Sequence, residues 1–324
     1  MSKYLTKRIN KKILSPEDFV VKEIINKKFF KKFSRTRHGI EKIKGPYTLF
    51  LMKKRNITTI QAIKKIAKEL NINEKEIGYA GLKDKFAVAY QYITIKNIDL
   101  EKLLLGNIEL NKIGYTNNMI SIGDLIGNEF DITLHNCNNI RNLENAIENI
   151  IKNGLPNYFG PQRFGTNKNN HIIGRYLIKR DFSNAISIIN KNYRKKIDNI
   201  KNINKKMLKF FIHAYQSWIF NETIKRYIEK NKTPLFRDVP IFGYDTKLKN
   251  NKIDKIIKNI IVEEKINQYD FKIPELKICC LGSKRKAFIK LSNISYKIEK
   301  NNIKLNFTLP KGSYATVLLN EIIK

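Results

Sequence analysis

Along the first part of the chain, apolar and polar positions follow two periods in turn. Pro16 to Ile25 (PEDFVVKEII), Tyr47 to Met52 (YTLFLM), Gln91 to Ile95 and Ile108 to Tyr115 carry the β-branched, aromatic and alternating pattern of strands. Between the second and third of these, Thr58 or Thr59 caps a predicted helix whose apolar positions are Ile60, Ile63, Ala67 and Leu70. Phe130, Ile132 and Leu134 alternate again. A second helix follows, with Ile140, Leu143, Ile147, Ile150 and Ile151 on one face and Gly154 just past its end. Two strand-and-helix units therefore succeed one another, alike in the order of their elements and not in their residues.

The texture changes after Gly165. Helical periods dominate from Thr166 to Asn231, including a long run from Lys205 with Leu208, Phe211, Ile212, Tyr215, Ile219 and Phe220 along one side. Beyond Pro234 the chain is irregular and lysine-rich, with strands expected near Ala287 to Leu291 and Tyr296 to Glu299. The end is regular again, with a strand through Leu305 and Phe307, a turn at Pro310 to Gly312 and a short amphipathic helix through Val317, Leu318 and Ile322. A chain of 324 residues exceeds what one core usually serves. The pattern predicts two domains, residues 1–165 with 303–324 and an inserted 166–302.

Three stretches carry candidate chemistry. Gly78 to Gln91 (GYAGLKDKFAVAYQ) reads as a strand, a break at Gly81, a basic turn and a second strand. Asp84 lies between Lys83 and Lys85, and neighbouring positive charge favours an ionised carboxylate that can serve as nucleophile or general base. An ordinary solvated turn is the other reading. Pro156 to Gly165 (PNYFGPQRFG) is neither good helix nor good strand, and presents Tyr158, Phe159, Arg163 and Phe164 on irregular backbone; an aromatic-anchored structural loop is the other reading. Phe29 to Arg37 (FFKKFSRTR) interleaves basic residues with aromatics, as phosphate-tracking and base-stacking segments do; a solvated, poorly ordered loop is the other reading.

Charge narrows the partner. With 63 Lys plus Arg against 29 Asp plus Glu, the formal net charge is +34. Such a chain repels itself unless something anionic is near, which favours nucleic acid over an anionic membrane surface. The 3 cysteines and 4 histidines show no metal-ligand spacing and no disulfide framework, which fits a reducing compartment. No apolar run suggests a membrane span or secretory signal, so a cytoplasmic location is expected.

AGLKDKFAVAYQ, NYFGPQRFG, the SWIFNETI segment at Ser217 to Ile224 and LPKGSYATVLLNEI, in that order and together with PEDFVVKEI, resemble the TruD family of tRNA pseudouridine synthases. The resemblance implies an α+β fold: a pseudouridine synthase core with a mainly antiparallel mixed sheet flanked by helices, plus an inserted α/β-type TRUD domain. It implies isomerisation of uridine, at position 13 of tRNA, with no cofactor and no metal. By the same likeness Asp84 is the catalytic aspartate, Lys83 supports its carboxylate or a phosphate, and Asn157 and Phe159 line the uridine pocket. Asn157 would read a uracil edge with its donor and acceptor, Phe159 would stack on the base, and Tyr158 and Arg163 would support the loop or meet phosphate. Where the family commonly has Thr after the aspartate, this chain has AVAYQ, with Ala89 and Tyr90. A non-catalytic RNA-binding or ribosome-assembly protein on the same scaffold is the alternative.

Overall fold

The computed structural model describes residues 9, 11–30, 34–36, 39–41, 45–193 and 196–323. These gather into two compact units, one built chiefly on the residues up to 144 with 291–312, the other on 145–290 with 313–322.

The first unit is organised by a sheet of nine strands: β1 (Phe19–Ile25), β2 (Tyr47–Arg55), β3 (Ile77–Tyr79), β4 (Val88–Lys96), β5 (Lys102–Leu105), β6 (Ile108–Thr116), β7 (Leu125–Leu134), β8 (Ser292–Glu299) and β9 (Asn302–Pro310). Their order is β8-β9-β7-β1-β4-β2-β6-β5. One edge of β4 is shared: β1 pairs with its first residues in parallel, from Val20 against Val88 to Lys22 against Tyr90, and β3 pairs with Ile93 to Ile95 antiparallel. The remaining pairings are antiparallel.

Helix α1 (Thr59–Glu69) links β2 to β3. Thr58 starts it, its side chain accepting from the Gln61 amide in a capping box. The buried face is Thr59, Ala62, Ile63, Ile66 and Ala67, while Ile60 stays exposed. The stripe is thus rotated from the one expected through Ile60 and Leu70, because alanine passes closer to a sheet than a longer side chain does. This face packs on Phe50, Met52, Ile93 and Ile95. Each such side chain, fully buried, stabilises the unit by about 1.5–3 kcal/mol.

Alternation along the central strands is interrupted in an instructive way. Thr48, Phe50, Met52 and Lys54 are the buried positions of β2's inward face, and Ala89, Gln91, Ile93 and Ile95 those of β4. Met52 lies opposite Gln91, and Ala89 lies opposite both Lys54 and Val21, so these residues share a face of the sheet. Glu23, two residues from Val21, is on it too and is 5% exposed.

The second unit is mainly helical. Helix α2 (Ile140–Asn153), whose first turn belongs to the first unit, buries Leu143, Ile147 and Ile150, and is followed by α3 (Pro161–Phe164), α4 (Asn170–Ile178), α5 (Phe182–Tyr193), α6 (Lys205–Asn231), α7 (Lys252–Glu264) and α8 (Ala315–Ile322). Helices α4 and α6 approach so closely that a Cβ on Gly174 would lie 2.1 Å from the Phe211 carbonyl oxygen. Three short antiparallel ladders, joining 155–156 to 288–289, 238–241 to 283–286 and 272–273 to 278–279, complete it. The strand expected near Ala287 to Leu291 is only Phe288–Ile289, and β5 was not foreseen in the sequence. Residues 31–33 and 37 of the basic aromatic stretch lie outside the described residues. Phe29, expected to offer a stacking face, is 1% exposed and belongs to a core cluster with Ile25, Leu49 and Ile120.

Candidate active site

Between β3 and β4, residues 80–87 form neither helix nor ladder, and the half-buried Asp84 sits on this loop. Irregular backbone holds a group in place only if something else fixes it, and here buried side chains do. Thr59 Oγ1 accepts from the Lys83 amide at 2.9 Å and donates to Gln91 Oε1 at 3.1 Å. Gln91 Nε2 in turn donates to the Gly81 carbonyl, so the relay begins and ends on the loop. Lys54 Nζ donates to the carbonyls of Ile57 at 2.6 Å and of Asp84 itself at 2.8 Å. Burial pushes the Lys54 ammonium down to about 8, against the opposing pull of the Asp84 charge.

Lys83, expected to support the Asp84 carboxylate or a phosphate, is held inside the protein. Its Nζ lies 2.8 Å from Glu23 Oε2 and donates to Asn128 Oδ1 at 2.5 Å, with 6% of the side chain exposed. A lysine so buried and so engaged ties the loop to β1 and β7. It is not a surface phosphate contact. Burial raises the Glu23 carboxyl above the usual range, with Lys83 opposing.

In the second unit the loop 157–165 is held just as firmly. Asn157, 7% exposed, has its Oδ1 occupied by two donors, Arg285 Nη2 at 2.7 Å and Ser313 Oγ at 3.0 Å. Its Nδ2 donates to the Lys286 carbonyl at 3.0 Å. The acceptor expected to read a uracil edge is therefore engaged within the protein. Phe159 is 8% exposed, with the Arg285 guanidinium 4.2 Å from its ring centroid, Arg163 at 5.3 Å and Phe220 edge-on at 5.5 Å. The Phe159 peptide is clasped at both ends by one amide: Asn221 Oδ1 accepts from its N–H at 2.8 Å and Asn221 Nδ2 donates to its C=O at 3.0 Å. Gly160 lets Tyr314 approach, since a Cβ there would stand 2.8 Å from the tyrosine ring. The Tyr158 phenol is pushed well up by burial and by Glu321, Glu229 and Glu222. Arg163 Nε is buried without a hydrogen-bond partner among the described residues.

The sequence matches the family of tRNA pseudouridine synthase D (TruD) over residues 4–199 and 231–322. The chain belongs to the TruD family. It is 33% identical to the probable tRNA pseudouridine synthase D 1 of Methanocaldococcus jannaschii, covering 100% of this chain and 98% of the relative. It is 32% identical to the tRNA pseudouridine synthase D of Sulfurimonas denitrificans, with 96% and 94% covered. A crystal structure of a TruD protein from Methanosarcina mazei superposes with a TM-score of 0.74 at 22% identity, covering 100% of this chain and 95% of that one, which establishes the α+β fold.

Sequence motifs alone singled out Asp84 and the 157–163 loop of this TruD-family chain, and gave little sign of what holds them. SWIFNETI, quoted above only for the resemblance, supplies Asn221 and Phe220 to the Phe159 loop. Ser313 lies within LPKGSYATVLLNEI, whereas Arg285 belongs to none of the motifs and had no signal in the sequence. Lys54 and Gln91 did have one, since each is a polar residue at an inward position of an alternating strand. Among the described residues no helix is long and apolar enough to cross a membrane. Nor do three or more His, Cys, Asp or Glu side chains cluster so as to hold a metal ion.

Proposed function

We propose that this chain isomerises uridine to pseudouridine in tRNA, at position 13, with Asp84 as the reacting carboxylate. The observation that carries the reading is the loop of Asp84: a half-buried acid whose backbone is fixed by Lys54, Thr59 and Gln91 from a packed sheet and helix. An acid placed this way can meet developing positive charge at a ribose C1′ or attack it without first being ordered. The bond from C1′ to N1 breaks, a bond from C1′ to C5 forms, and the C5 proton is lost to solvent while N1 gains one. No redox change and no net hydrolysis occur. Asp84 acts as nucleophile on C1′ or as the base that starts elimination at the sugar.

Asn157 and Phe159 hold the everted base, which costs a few kcal/mol to unstack and less in a loop than in a helix. The net charge of +34 supplies the attraction for the phosphate backbone. The test is Asp84→Asn, assayed by tritium release from tRNA labelled at uracil C5. Turnover falls by about a thousandfold or more with the fold intact, as loss of an essential group requires. Near-normal tritium release from this variant overturns the assignment.

A further inference from the structure

We infer that Arg285 is a positioning residue for the base-holding loop, fixing Asn157 so that it offers the base one N–H and no acceptor. The inference rests on the assignment of Asn157 to the uridine pocket and deepens it.

The argument starts from what each group can do. A guanidinium only donates and a backbone carbonyl only accepts. Arg285 Nη2 at 2.7 Å on one side of the Asn157 amide and the Lys286 carbonyl at 3.0 Å on the other therefore leave a single orientation for that amide. With Ser313 Oγ donating at 3.0 Å as well, both lone pairs of Oδ1 are used. The two Nδ2 hydrogens are used only once by these bonds. What remains for a ligand is one donor, and one donor selects a carbonyl oxygen of the base.

The same guanidinium fixes the rest of the loop. Arg285 Nε donates to the Asn157 carbonyl at 2.8 Å and Nη2 reaches the Tyr158 carbonyl at 3.4 Å, while its Cζ lies 4.2 Å from the Phe159 ring centroid. One side chain thus sets an amide orientation, two carbonyls and an aromatic face. Burial lowers its pKa to about 10, which leaves it charged at neutral pH. Lysine cannot substitute, because a single ammonium lacks the planar fork that reaches a carbonyl and an amide oxygen together.

Arg285→Ala, Arg285→Lys and Asn157→Asp separate this role from a structural one. Steady-state kinetics on tRNA, RNA affinity and thermal unfolding are measured for each beside wild type. Arg285→Ala is expected to lose about a hundredfold in kcat, the cost of a misplaced group, with KM nearly unchanged and with part of the loss restored by added ethylguanidinium. Arg285→Lys shows the same kcat loss. Asn157→Asp loses both the bond to the Lys286 carbonyl and the free N–H while Arg285 gains a carboxylate to bind; RNA affinity is expected to hold and turnover to fall by more than any drop in melting temperature accounts for. This variant carries the test should Arg285→Ala fail to fold. Wild-type kcat in Arg285→Lys, or in Asn157→Asp, overturns the inference. So does a loss in Arg285→Ala that follows its melting temperature and ignores ethylguanidinium. A wild-type protein that forms no pseudouridine overturns the functional reading and this inference with it, whereas an active wild type with active variants overturns this one alone.

Discussion

Replacing Lys54 by methionine separates anchoring the Asp84 loop from stabilising the fold. Methionine keeps the apolar stem and removes the ammonium. A folded-state pKa of about 8 against 10.5 for a free lysine corresponds to about 3 kcal/mol of unfavourable burial at neutral pH. The substitution relieves that cost. Against it, the carbonyls of Ile57 and Asp84 lose a donor, at about 1–3 kcal/mol each. The two contributions nearly cancel, so Lys54→Met should unfold close to the wild-type temperature. Catalysis has no such compensation: the loop loses its tie at Asp84 itself, and a displacement of about 1 Å costs about a hundredfold in turnover. The assay pairs tritium release at saturating tRNA with thermal unfolding. Acidity adds a second signature. The folded state holds the Lys54 proton less tightly than the unfolded state, so between about pH 8 and 10.5 the unfolded chain binds more protons and this site's contribution to stability rises with pH. Turnover falls over the same range as the ammonium discharges. Lys54→Met should lack the rise. Wild-type turnover in the variant, or a loss of activity matched by a large fall in melting temperature, refutes the reasoning.

Glu23→Gln leaves the Lys83 ammonium buried with its charge uncompensated, and breaking such a pair from one side costs about 3–5 kcal/mol. The melting temperature should fall and largely recover in Glu23→Gln with Lys83→Met, and an unchanged single variant would show the pair to be idle. Gly174→Ala drives a methyl into the Phe211 carbonyl and should destabilise the second unit by about 1–3 kcal/mol or more. Trp218, the 1 tryptophan of the chain, reports unfolding there by fluorescence, and a wild-type transition would contradict the close packing. Affinity for tRNA should drop by about three to five decades between 50 and 200 mM salt if about 6–10 phosphates are contacted. A flat salt profile would remove the basic surface from the account.

The large sheet was legible because β1 alternates as a half-buried strand must, while the central β2 and β4 are rich in β-branched and aromatic residues. The short β5, with its burial running exposed to intermediate, has little apolar surface to pattern and escaped notice. The α1 stripe was misread because the period of 3.6 admits several phases, and small Ala62 and Ala67 decided which one meets the sheet. The two candidate loops were found by their odd composition. Their partners were not, because Arg285 and Ser313 lie more than a hundred positions from Asn157 and only the folded chain brings them to it.

Glu23, Lys54 and Gln91 could have been singled out by a stricter use of the same alternation. Each occupies an inward position where its strand otherwise places Phe, Val, Met or Ile. Register makes them neighbours: Ala89 faces both Lys54 and Val21, and Gln91 is two residues along the same face. A buried ion pair or buried amide is seldom the most stable choice, since apolar residues of similar volume often do as well or better. The fold alone gives no reason for three polar residues there. A reason appears in where their bonds end: Lys54 at the Asp84 carbonyl, Gln91 at the Gly81 carbonyl and Glu23 at the side chain of Lys83. All three terminate on residues 81–84. The cost in core stability is borne at the segment that carries the proposed reacting carboxylate, so the breaks in alternation point to the same loop as the motif does.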